Sequence, residues 1–149
     1  ILEGHQIRPA DAGIIISNSG RNAAPVEMAL EMKKAGMPII AITSLNHSGF
    51  VTSSLSNGKK LLDIADVVLD NGAPYGDALI RIAGLDAGMG AASTVTGAAL
   101  INSIFIVAAE RMLAEGAGPL VLPSGNIAAA DYTRIQVAME KYVSRIKYL

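Results

Sequence analysis

The stretch Ala12–Ser44, AGIIISNSGRNAAPVEMALEMKKAGMPIIAITS, decides how this chain folds. It opens on three consecutive isoleucines inside Ala12–Ser17 and ends on the apolar run Pro38–Thr43. Runs this short and this uniformly apolar predict strands buried on both faces. Between them, Ala24 to Ala35 reads as a helix. Pro25 suits the first turn, Glu27 and Glu31 lie toward the start, Lys33 and Lys34 lie at the end, and Gly36 can cap. A strand, a helix and a second buried strand predict a parallel sheet, because parallel neighbours need a crossover.

Downstream, Ser44–Ser54 reads as a polar loop and Gly58–Ala65 as a short helix. Asp66–Asp70 is expected as a third strand, Asn71–Asp77 as a turn-rich loop and Ala78–Ala83 as a fourth strand. A Gly/Ala-rich loop, Gly84–Ala92, leads into a long helix over Ser93–Glu115. Leu120–Leu122 is a candidate short strand. A last helix is expected over Ala129–Ile146, with Ile135, Ala138, Met139, Tyr142, Val143 and Ile146 on one stripe. The alternation predicts an α/β fold with a doubly wound parallel sheet. In such sheets ligands bind at the carboxyl ends of the strands.

Composition narrows the function. At 149 residues the chain has the length of one domain, and 51% hydrophobic residues suffice for a core. A net charge of −1 with no basic stripe, and only 4% aromatic residues, speak against a nucleic-acid surface. The apolar stretch Ala98–Leu113 is interrupted by Asn102, Ser103, Glu110 and Arg111, so a buried helix is expected rather than a membrane span. There is no cysteine, which removes thiolate chemistry and fits a cytoplasmic protein, and His5 and His47 are the only histidines. No metal and no cofactor is therefore expected. The chain begins at Ile1 rather than Met, and Leu2–Asp11 reads as a polar lead into a strand, so a fragment or processed form is expected.

The strongest chemical signal is Ser17-Asn18-Ser19-Gly20-Arg21-Asn22, set between a strand and a helix start. A helix N-terminus offers free backbone N–H groups and partial positive charge. Two serines and an asparagine add donors, and Gly20 permits the tight turn. The local chemistry fits a phosphate cradle and fits an ordinary capped strand-to-helix connection equally well.

The run from Ile16 to Ser44 resembles the core of the sugar isomerase (SIS) domain family. There a Ser-x-Ser-Gly-x-(Thr/Ser/Asn) loop follows a strand, and the next strand ends in Thr or Ser. The resemblance implies that Ser17, Asn18, Ser19 and Asn22 hold phosphate, with Thr43 and Ser44 at the second strand end. Ala92-Ser93-Thr94 is similar to the Ala-Ser-Thr stretch that opens a sugar-contacting helix in the isomerase domains of glucosamine-6-phosphate synthases. Ser93 and Thr94 thereby become candidate sugar or phosphate contacts, beside the plainer reading of a helix cap.

A wider match is to an uncharacterised bacterial subgroup of SIS-domain proteins. It is carried by SNSGRN, ITSLNHS, ADVVLDNGAPYGDA, ASTVTGA and the terminal RIKYL, from about Ile7 to Leu149. That subgroup carries Gly-Gly-Asp with a His-Asn pair where this chain has Ala128-Ala129-Ala130-Asp131-Tyr132-Thr133. Family members also begin with helices and a first strand ending in a small-residue loop. The resemblance therefore implies a flavodoxin-like SIS domain of three α/β/α layers over residues 1–149 that lacks those elements, with either a longer gene product or a chain that is only the ordered or retained part.

His47 is the visible candidate for a general base, since it follows a strand end; a structural loop histidine is the alternative. Asp70, Asn71, Tyr75 and Asp77 follow the third strand and suit sugar hydroxyls, a subunit partner or a plain turn. Glu27 and Glu31 fit a solvated helix face, and Met28 with Met32 fit core packing. Gly84, Gly88 and Gly90 do not have dinucleotide-loop spacing. The implied ligand is a phosphorylated sugar. The implied activities are a metal-independent aldose/ketose isomerase, a phosphosugar-sensing module without turnover, or a lyase for a phosphorylated amino-sugar ether. The long apolar helix is expected either at the centre of the monomer or in an interface, and the resemblance implies a homo-oligomer, dimer or tetramer.

Overall fold

The computed structural model describes Leu2, residues 4–124, Asn126, residues 132–143 and Arg145. Two compact units are present, Arg8–Ile104 and a second made of Ile1–Ile7 with Phe105–Leu149.

The first unit is built on three parallel strands. These are β1 (Gly13–Ile16), β2 (Ile39–Thr43) and β3 (Val67–Asp70), in the order β1-β2-β3. Gly13 faces Ile39 and Ile16 faces Ile42, while Ile40 faces Val67 and Thr43 faces Asp70. The three carboxyl ends therefore come level at one edge of the sheet. Helix α1 (Ala23–Lys34) makes the first crossover and buries Val26 and Ala29. Gly13 lets this helix come close, since a Cβ there would stand 2.6 Å from Met32 Sδ and 2.9 Å from Ile39 Cδ1. Gly36, at φ +82°, ends the helix by donating to Lys33 O, and Met37 donates to Met32 O. Ile39, Ile42, Val26 and Leu61 are fully buried, each burial stabilising by roughly 1.5–3 kcal/mol.

Asp66 fixes the entry to β3. Its carboxylate accepts from the Ile39 amide at 2.6 Å and pairs with Lys33, and its own amide donates to Ile39 O at 2.9 Å. The Lys33 bond, then the Ile39 amide, hold this carboxyl below its ordinary value of 3.8.

Four expectations are corrected in and beyond this sheet. The predicted loop after β2 contains a short helix, α2 (Leu45–Phe50), and the predicted helix at Gly58–Ala65 contracts to a 3-10 turn at Leu61–Asp63. The predicted fourth strand does not join the parallel sheet. Instead β4 (Ala78–Ile80) pairs antiparallel with β5 (Met89–Ala91), Ala78 facing Ala91 and Ile80 facing Met89. A Cβ at Gly88 would stand 2.7 Å from Ala78 Cβ, so the returning segment needs a glycine there. Leu120–Leu122 forms no strand, and all three residues are exposed.

Helix α3 (Ala92–Ala114) buries only Ala92 and Gly97, so it does not lie at the centre of the monomer, the first of the two places expected for it. By length and composition it is long and apolar enough to cross a membrane. Its polar residues satisfy themselves locally: Thr96, Asn102 and Ser103 donate to the carbonyls of Ala92, Ala98 and Ala99. In the second unit, α4 (Thr133–Val143) is the described part of the predicted last helix. The Gln6 amide donates to Arg145 O and Arg145 Nη2 donates to Gln6 O, both at 3.2 Å. Residues 128–131 and Ile146, and the side chains of Ile135 and Ala138, lie outside the described residues.

Candidate functional site

The loop Ser17–Asn22 leaves the carboxyl end of β1 and enters α1, as the sequence predicts. Gly20 sits at φ +59°, and a Cβ on it would meet Leu61 Cβ at 3.2 Å and Thr43 Oγ1 at 3.4 Å. Only glycine fits both the backbone and the space. The Gly20 amide donates to Ser17 Oγ at 3.3 Å, and Gly20 O accepts from the Leu61 amide at 2.8 Å.

The candidate residues divide by what their polar atoms do. Asn18 is bonded to the sheet edge through its oxygens: its carbonyl accepts from the Ser44 amide at 3.0 Å and from Thr43 Oγ1 at 3.1 Å. Its side-chain oxygen accepts from Asn71 Nδ2 at 3.0 Å. Thr43 and Ser44 are wholly buried. Ser44 Oγ donates to Ala73 O at 2.6 Å and accepts from the His47 amide at 2.9 Å. Asn71 completes the seam, its amide donating to Thr43 O and its side-chain oxygen accepting from the Ala73 amide, each at 2.9 Å. The loops after β1, β2 and β3 are thus bound together through Asn18, Ser44 and Asn71.

Ser19 and Asn22 are placed differently. Among the described residues, no hydrogen bond engages the Ser19 hydroxyl or the amides of Ser19, Arg21 and Asn22. Asn22 is the N-cap of α1, yet its side chain makes no cap bond and is exposed. Several donors therefore stay outside the internal hydrogen-bond network, at the end of a helix where anions are favoured.

Ser93 and Thr94 open α3 as expected, but the Ser93 hydroxyl is already bonded. Asp77 accepts from the Ser93 amide at 2.8 Å and from Ser93 Oγ at 2.6 Å, and Asp77 O accepts from the Ala92 amide at 2.9 Å. Thr94 is exposed. One turn on, a Cβ at Gly97 would stand 3.7 Å from Ile16 Cγ2, so this helix start lies near the end of β1.

Asp70 serves α2 and its own turn, accepting from the Leu45 amide at 3.1 Å and the Gly72 amide at 3.0 Å. His47, on α2, accepts from the Gly76 amide at Nδ1, 3.1 Å away. A neutral imidazole in that setting carries its proton on Nε2 and presents a donor there. Tyr75 lies 5.3 Å from the His47 ring and 5.5 Å from the Phe50 ring, centroid to centroid. Sequence reasoning missed Ala73, Phe50 and Lys60. The Lys60 ammonium donates to Ser48 O and Val51 O at the end of α2. None of these contacts has a local sequence signal. Among the described residues, no group of three or more His, Cys, Asp or Glu side chains forms a metal site.

Comparison with known proteins agrees with this architecture. Residues 1–44 match the SIS domain. A UPF0309 protein of Halalkalibacterium halodurans is 45% identical over 130 residues, covering 87% of this chain and 54% of the relative. A UPF0309 protein of Listeria monocytogenes serotype 4b is 42% identical over 143 residues, covering 96% of this chain and 58% of the relative. One from Brucella canis is 39% identical over 150 residues, covering 100% and 60% respectively. The chain thus spans between half and two thirds of the length of these relatives.

Proposed function

We propose that this chain, similar to the SIS domain and to UPF0309 proteins, holds the phosphate of a phosphosugar on Ser17–Asn22 and that the whole protein interconverts aldose and ketose phosphates without a metal. The observation that carries this is the division of labour in the loop. Asn18 is bonded into the sheet edge, while the Ser19 hydroxyl and three neighbouring amides remain open beside the α1 N-terminus. A dianion needs several converging donors held still, and an anchored loop with open donors beside a helix start supports that reading. Thr43 and Ser44 then act as scaffold under the loop. Ser93 and Thr94 would meet the sugar from α3, Ser93 after exchanging its bond with Asp77. The doubly wound, three-layer sheet and a homo-oligomer belong to this proposal, the latter supported by the exposed apolar face of α3 that includes Val95, Phe105 and Ile106.

One observation favours a second reading, binding without turnover. His47 holds its Nδ1 on the Gly76 amide and so offers a proton rather than taking one. A panel of aldose and ketose phosphates followed by NMR decides between them. Appearance of the isomeric phosphate supports catalysis. Shifted resonances of Ser19 and Asn22 without product support the sensing module, and no shift at all overturns the phosphate site.

A further inference from the structure

We propose that Tyr75, braced by Phe50 and His47, is an aromatic platform for the closed ring of a cyclic sugar phosphate. The proposal rests on the phosphate reading above and adds what the rest of the ligand must be: a six-membered ring with C–H groups on one face and hydroxyls at its rim.

The chain has 2 Phe, 4 Tyr and no Trp. Among the described residues, the buried hydrophobic core contains no aromatic side chain. Phe50 and Tyr75 are instead 74% and 61% exposed and lie against each other at the sheet edge where the strands end. Such exposure of apolar rings is unfavourable unless something covers them. Their placement is set by polar bonds. The Gly76 amide, next to Tyr75, binds His47 Nδ1, and Ser44 Oγ joins the His47 amide to Ala73 O. The same Ser44 donates its own amide to Asn18 in the phosphate loop. Platform and loop therefore share one anchoring residue.

The chemistry of the cluster matches a sugar ring. The Phe50 edge meets Tyr75 at 60°, and His47 meets it at 39°, so the Tyr75 ring is steadied by two neighbours without a stack that would hide it. Aromatic faces attract polarised C–H groups, and a binding site joins such apolar cover to a few fixed polar groups. Here those polar groups are His47 Nε2–H and the Tyr75 hydroxyl, which bonds to no described residue. A three-carbon phosphate has no ring face to set against Tyr75.

Titration of this chain with glucose 6-phosphate and with glycerol 3-phosphate tests the proposal, using the wild type, Tyr75→Phe and Tyr75→Ala. The expected result is that the wild type binds the cyclic sugar about tenfold more tightly than the three-carbon phosphate, and that Tyr75→Phe, which keeps the ring face and loses one hydroxyl contact, retains part of that advantage. Tyr75→Ala loses that advantage and keeps its affinity for glycerol 3-phosphate. Should Tyr75→Ala not fold, Phe50→Ala is read in the same way. An advantage that survives in Tyr75→Ala, or equal losses for both ligands, overturns the platform and leaves the phosphate loop standing. Failure of the wild type to bind either ligand overturns the loop and the platform together.

Discussion

Asp77 grips Ser93 with both carboxylate oxygens, across 16 residues of chain, one on the amide and one on the hydroxyl. It does so from a left-handed backbone at φ +67°, which an aspartate adopts at a cost. The start of α3 is therefore capped by a side chain that arrives from the loop after β3. Asp77→Ala removes the cap and keeps the strained backbone, so a loss of about 1–2 kcal/mol is expected in chemical denaturation. Asp77→Gly removes the cap but relieves the strain and should lose less than the alanine variant. Unchanged stability in Asp77→Ala would show that the cap is not what holds this loop, and a larger loss in Asp77→Gly than in Asp77→Ala would show that the positive φ carries no strain.

Ser19 and Ser44 separate binding from folding. Ser19→Ala should weaken phosphate binding by about 1.5–3 kcal/mol with little change in melting temperature, because only a bound anion uses that hydroxyl. Ser44→Ala strands the Ala73 carbonyl and the His47 amide in the interior, so roughly 2–4 kcal/mol of stability should be lost. Calorimetry on the two variants, with and without inorganic phosphate, reads both effects. Identical behaviour of the two would contradict the assignment.

Gly20→Ala should destabilise the fold by roughly 1–2 kcal/mol, from the positive φ alone. The added methyl also meets Leu61 and Thr43, so the loop must shift and phosphate affinity should fall as well. Retained stability and affinity in this variant would mean that the turn is shaped otherwise.

Acid should loosen the sheet through Asp66. Its carboxyl is held below the ordinary 3.8 in the folded chain, so its contribution is fully present above that pH. The contribution fades as pH falls through the lower folded value. Asp66→Asn should therefore lower stability at neutral pH and flatten its decline below about pH 4. An unchanged acid limb in stability measured against pH would contradict the role given to the Lys33 and Ile39 partners.

The β1-α1-β2 core was legible because each of its signals is local. Isoleucine runs, Pro25 near the helix start, and Gly36 past its end act within a few residues of where they stand. The helix α2 was not legible, since LNHSGF carries a glycine and no apolar period. Its bonds come from elsewhere: Ser44 and Asp70 at its start, and Lys60 at its end. Of the strand expected over Ala78–Ala83, only Ala78–Ile80 forms, and its direction depends on Met89–Ala91 folding back on it, a choice made outside the segment. In the candidate site the same rule holds. The Ser-x-Ser-Gly pattern announced the loop, whereas the assignment of Asn18, Thr43 and Ser44 to scaffolding depends on Asn71 and Ala73, far along the chain.

The seam through Asn18, Ser44 and Asn71 has a dynamic consequence. Because two hydroxyls and two side-chain amides tie three successive strand-end segments, opening one of them is coupled to releasing the others. Hydrogen–deuterium exchange at Ser44, His47 and Asn71 would then proceed as a single cooperative event rather than three local ones. A ligand that steadies any one of these segments would slow exchange in all three, so occupancy at the first strand end would be felt around His47 without any displacement of atoms.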